Sequence, residues 1–66
     1  MKATIIKTEL IKQTTYELIK EVDKEKYWVT KVGRNNTVTF LQPSRTLELG
    51  IKFFDKIVND VKNKIK

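Results

Sequence analysis

Three carboxylates at alternate positions, Glu21, Asp23 and Glu25, are the densest group of chemically useful side chains in this sequence. Paired carboxylates can act as a general acid and base, and clustered carboxylate oxygens can bind a divalent cation. Here Lys24 and Lys26 lie between and beside them, so the carboxylates already have cations as chain neighbours. We therefore interpret the segment as a solvated turn and predict no metal site or acid–base pair.

The residue types on which most enzyme chemistry depends are missing from this sequence. There is no histidine to act as a base near neutral pH and no cysteine to act as a nucleophile. No glycine-rich phosphate-binding motif and no nucleophile-elbow motif occurs. A structural zinc site is also excluded, because carboxylates alone rarely build one. We predict a protein that is not an enzyme and that uses no cofactor.

The basic residues suggest a different chemistry, the binding of nucleic acid. The formal net charge is +6, and the segment 26–45 contains no acidic residue. An aromatic side chain on an open sheet can stack on a base while cations neutralise the phosphates. Alternatively, the lysines are spread along the chain only to keep a small domain soluble. The candidate nucleic-acid contacts are Tyr27, Lys31, Arg34 and Arg45.

The length of the chain limits its stability. Its 66 residues make one small domain, 1–66. A domain this short buries only about 60% of the surface that the unfolded chain exposes, so self-association would add to a thin stability margin. The absence of cysteine is typical of a cytoplasmic protein, and no apolar run is long enough for a signal peptide or a membrane span. We expect a cytoplasmic homodimer without membrane contact.

The clearest pattern lies in the last third of the chain and predicts one amphipathic helix over residues 44–65. Apolar residues recur there at steps of three and four, which places them on one helix face. Ser44 is a suitable N-cap. Lys62 and Lys64 lie near the C-terminal end of the predicted helix, where the negative end of the helix dipole stabilises cations. Gly50 lies among the apolar residues, which predicts a close approach of helix and sheet. The apolar stripe consists of Leu47, Ile51, Phe54, Val58, Val61 and Ile65.

Four segments before the helix are rich in β-branched and aromatic residues and predict strands. Gln42-Pro43 is expected to end the fourth, because proline cannot donate to a sheet. In the first segment a short helix starting at Thr4 is the alternative to a strand. The predicted fold class is α+β, a four-stranded antiparallel meander with one C-terminal amphipathic helix packed on one face. The predicted strands are residues 2–10, 14–22, 27–33 and 37–41.

One strand register would place the even-numbered apolar residues on a single face of the sheet. That face would pack against the helix, with Trp28 in the core. The odd-numbered face, with Tyr27, would remain open. The predicted pairs are Ile6–Leu18, Leu18–Val32, Val22–Trp28, Val32–Val38, Thr30–Phe40 and, on the odd face, Lys7–Glu17.

Two apolar helix residues, Leu49 and Phe53, lie about 100° from the centre of the stripe, given about 100° of rotation per residue. Exposed apolar neighbours suggest contact with a partner, unless the sheet curls round and covers them. We hypothesise a small basic non-catalytic interaction module that self-associates, with Leu49 and Phe53 at the dimer contact. The alternative function is weak, non-specific binding of single-stranded nucleic acid.

The order of four strands followed by one helix is similar, in topology alone, to small single-strand-binding coactivator domains. The basic and aromatic motifs of those domains are not recognisable in this sequence. Because one fold hosts many functions, the order of the elements assigns no family to this chain.

Overall fold

A computed structural model describes residues 2–65 and confirms the predicted fold class. The chain forms one antiparallel sheet in which each strand pairs with the next along the chain, followed by a helix packed on one face. Residues 2–10 therefore form a strand and not a helix. The elements are β1 (Ala3–Ile11), β2 (Thr14–Glu21), β3 (Tyr27–Val32), β4 (Val38–Ser44) and α1 (Leu47–Lys64).

Residues in the left-handed backbone conformation close the two hairpins at one end of the sheet. Lys12 has a φ of 55° in the two-residue loop between β1 and β2. Asn36 has a φ of 63° between β3 and β4, where its N–H donates to the carbonyl of Gly33 at 3.0 Å. Asparagine tolerates this conformation better than most residues. Glycine and asparagine, which favour turns, thus form the loop between β3 and β4.

The hairpin between β2 and β3 closes earlier than the sequence predicts. The N–H of Glu21 donates to the carbonyl of Lys26 at 3.0 Å, so residues 22–25 form the loop. Leu18 consequently pairs with Val29. The predicted pairs Leu18–Val32 and Val22–Trp28 are therefore wrong. The register differs by three residues, and an odd shift turns the whole of β3 over.

The reversal of β3 depends on packing, because both of its faces are apolar. Tyr27 and Val29 face α1 in the structure, while Trp28 faces away from it. A Cβ atom on Gly50 would lie 3.0 Å from Leu18 Cδ1 and 3.4 Å from Tyr27 Cβ. The glycine thus lets the helix approach these side chains closely, and the close approach predicted at Gly50 is confirmed.

A bulge in β1 changes the pairing of its second half. The register shifts between Ile5 and Lys7, so Lys7 pairs with Leu18 and the predicted pairs Ile6–Leu18 and Lys7–Glu17 are wrong. Lys7 therefore points to the helix side of the sheet. Its Nζ lies 3.1 Å from Asp55 Oδ1 and joins β1 to α1.

The strand β4 continues through Pro43 and ends at Ser44, later than predicted. Proline is tolerated there because β4 lies at the edge of the sheet. The helix consequently starts later, and its N-cap is Thr46 and not Ser44. Thr46 has an extended backbone, and its Oγ1 accepts a hydrogen bond from the N–H of Leu49 at 3.2 Å.

The core lies between the sheet and α1, and the predicted phase of the helix is confirmed. Gly50, Phe54 and Val58 are its buried residues. The two ends of the stripe, Leu47 and Ile65, are exposed. The core cluster consists of Ile11, Tyr16, Leu18, Tyr27, Val29, Phe54 and Val58.

Candidate interaction surface

The sheet face opposite α1 is uncovered by any described residue, and we call it the open face. Residues that pair across neighbouring strands share a face, so the registers arrange this surface as four rows across the sheet. From the loop 22–25 downwards, the rows are Ala3, Glu21 and Lys26; then Ile5, Ile19, Trp28 and Pro43; then Thr8, Glu17, Thr30 and Phe40; then Leu10, Thr15, Val32 and Val38.

An aromatic pair lies on the β3–β4 side of the open face. The rings of Trp28 and Phe40 meet edge to face, with their centroids 5.2 Å apart. The indole Nε1–H of Trp28 donates to Glu21 Oε2 at 3.2 Å, and Lys26 Nζ lies 4.9 Å from the centroid of the indole ring. These contacts fix the position of the indole ring, with the Lys26 ammonium over one of its faces.

Around the aromatic pair, apolar side chains of the open face remain in contact with solvent. Phe40 is 45% exposed, and Ile5, Leu10 and Val38 are more exposed still. Scattered apolar residues are normal on a protein surface, but several large ones on one uncovered sheet face are typical of an interaction site. The open face is therefore the strongest candidate for a functional surface in this chain.

The polar groups of the open face divide into paired and unpaired ones. Glu21 stands next to Lys26 in the first row, and its carboxylate accepts the hydrogen bond from Trp28 but makes no ion pair within residues 2–65. Glu17 makes no ion pair with any residue in the range 2–65 and lies near the middle of the apolar surface. Beside it, the buried Thr30 Oγ1 has no hydrogen-bond partner within the described chain.

The structure buries the aromatic residue that the sequence placed on the open side. Tyr27 is only 6% exposed and lies in the core under α1, so its ring is not accessible for stacking. Its hydroxyl donates to Glu25 Oε2 at 3.1 Å. Burial, together with the hydrogen bond to the Glu25 carboxylate and its negative charge, raises the pKa of Tyr27 above the ordinary value.

The predicted basic contacts do not come together at one site. Lys31 is exposed and pairs with Tyr16, which places it on the helix side of the sheet. Arg34 lies in the loop between β3 and β4, while Arg45 follows β4 at the opposite end of the sheet. Arg45 instead shares a groove of about 380 Å³ with Lys26, a residue of the open face.

The predicted partner contact on the helix is only partly available. Leu49 is 41% exposed, but Phe53 is half-buried and packs against the core. The aromatic residues that the sequence did not assign to an exposed surface are Trp28 and Phe40. Tyr27 and Val29 also share one face of β3. If that apolar face had been assigned to the core, the sequence would have placed Trp28 and Phe40 on the open face.

No helix within residues 2–65 is long and apolar enough to cross a membrane. Comparison of the chain with protein-family models, with curated proteins and with solved structures found no match.

Proposed function

We propose that this chain is a small non-catalytic interaction module that self-associates, and that a second copy binds to its open face. The observation that carries the proposal is the uncovered apolar sheet face, with Trp28 on the inner strand β3 and Phe40 beside it on β4. Large aromatic side chains in the middle of an interface typically supply most of its binding energy. The absence of histidine and cysteine from the sequence supports a non-catalytic role.

The dimensions of the chain support the proposal. The described chain extends 37 × 25 × 14 Å, so its broad side has an outline of about 900 Å², and a standard interface buries about 800 Å² per partner. A second copy would also cover a face that the single small core leaves in water. Folding and association would then support each other by mass action.

Substitution of Phe40 tests where the second copy binds. In sedimentation velocity over a range of concentrations, we expect the unmodified chain to change from monomer to dimer. Phe40→Glu should weaken this association by roughly 30-fold or more, because an interface anchor is typically worth at least 2 kcal/mol. Circular dichroism at low concentration should show that the variant remains folded.

Leu49→Glu is the matched control, because Leu49 is 41% exposed and Phe40 is 45% exposed. It should associate like the unmodified chain. If Leu49→Glu were the variant that dissociates, the contact would lie on the helix flank with Phe53. A chain that stays monomeric at millimolar concentration would refute the proposal.

A second candidate function is the binding of single-stranded nucleic acid at one end of the open face. The observation that favours it is the position of Lys26, which lies over Trp28 and shares a groove with Arg45. A base stacked near Trp28 would place its phosphate towards these two cations. Glu17 and Glu21 lie on the same face and would repel phosphates, so we favour self-association.

The fluorescence of Trp28, the one tryptophan of the chain, reports on this second candidate. At low salt, single-stranded oligonucleotides should quench it, with an affinity that falls as salt is added. Lys26→Ala and Arg45→Ala should each reduce the salt dependence by about one phosphate contact. Lys52→Ala, on the exposed side of α1, is the control. No quenching at tens of micromolar protein would exclude this candidate.

A further inference from the structure

We infer that the second copy packs face to face about a two-fold axis that runs parallel to the strands, between β2 and β3. This inference rests on the proposed function, because it specifies how two open faces meet. A two-fold interface is self-complementary, so the same residues must satisfy each other on both copies. The four rows of the open face allow two simple arrangements, and charge distinguishes them.

The first arrangement has its axis along the strands. Each residue then stays in its row, while β2 faces β3 and β1 faces β4 of the second copy. In the first row, Glu21 lies over Lys26 of the second copy, and the reverse contact repeats on the other side of the axis. Four charges of alternating sign result, which is favourable even at a solvent-exposed edge.

The same arrangement matches the apolar rows. In the second row, Ile19 lies over Trp28 of the second copy, so an aliphatic side chain faces an aromatic one. In the fourth row, Leu10 lies over Val38, and both are exposed in the single chain. Two sheets packed in this aligned way form a sandwich of ordinary geometry, with the helices outside.

The second arrangement has its axis across the strands and exchanges the first row with the fourth. Lys26 would then lie over Val32, and Glu21 over Thr15. Glu21 and Lys26 would lose water without gaining a partner of opposite charge on the second copy, which is unfavourable. Glu17 meets an uncharged residue in either arrangement, so only the first row distinguishes the two by charge. Leu10 would lie over Ala3, so the two arrangements bring different edge residues together.

Cross-linking of single-cysteine variants identifies the axis, since the natural chain has no cysteine. Leu10 and Val38 lie on opposite edge strands, about 14 Å apart at about 4.8 Å per strand spacing, so in this arrangement a dimer of two identical variants holds its cysteines too far apart for a short cross-linker. We expect a mixture of Leu10→Cys and Val38→Cys chains to be joined by a short bismaleimide. The Leu10→Cys and Ala3→Cys mixture should be joined at least tenfold less.

The outcomes separate this inference from the proposed function. Efficient joining of Leu10→Cys to Ala3→Cys, in a chain that sedimentation shows to be dimeric, would overturn the strand-parallel axis alone. A chain that does not dimerise would overturn both proposals.

As a check without cysteine, Lys26→Glu and Glu21→Lys should each weaken self-association, and mixing the two variants should restore a heterodimer. A mixture no tighter than either variant alone would also contradict the axis.

Discussion

Phe54→Ala should leave the chain largely unfolded at room temperature. Phe54 is 3% exposed and lies at the centre of the buried helix stripe. Truncation of a buried phenylalanine costs about 3–5 kcal/mol, and a domain of this size has only about 5 kcal/mol of total stability. Urea denaturation followed by far-UV circular dichroism would measure the loss.

Phe53→Ala is the matched control for this prediction, because it removes the same side chain from the next position of the helix. Phe53 is half-buried at the edge of the core, so the variant should remain folded with a smaller loss of stability. If Phe53→Ala were the more damaging variant at every protein concentration, α1 would have to be rotated relative to the sheet.

Tyr27→Ala should lower the melting temperature far more than Trp28→Ala in dilute solution, where the chain is monomeric. Tyr27 fills the space between β3 and Gly50, whereas Trp28 lies on the open face. We expect a fall of about 15 °C or more for Tyr27→Ala, given about 4–8 °C per kcal/mol in a small domain. Thermal melts of both variants would measure the difference.

Protein concentration separates the two aromatic positions further. The effect of Tyr27→Ala should not depend on concentration, while that of Trp28→Ala should grow as the unmodified chain dimerises. Tyr27→Phe removes only the hydroxyl that donates to Glu25, so it should have a small effect. A larger loss for Trp28→Ala in dilute solution would show that β3 is turned over, as the sequence alone suggested.

The order of the elements and the phase of the helix could be predicted from the sequence because they depend on local patterns. The three- and four-residue spacing of apolar residues selects one side of α1, whatever it packs against. Glycine and asparagine likewise mark the loop between β3 and β4 through their own backbone preferences. The predicted pairs Thr30–Phe40 and Val32–Val38 are correct for this reason, since that short loop fixes their register.

The orientation of β3, and with it the candidate site, was decided by the tertiary structure. Tyr27 and Val29 form one apolar face of this strand and Trp28 and Val32 the other, so alternation cannot choose between them. The hydrogen bond from Glu21 to Lys26 and the space left by Gly50 under the helix make the choice. A shift by an odd number of residues exchanges the two faces of a strand completely. The structure therefore places the half-buried Trp28 on the open face and Tyr27 in the core, the reverse of what the sequence predicts.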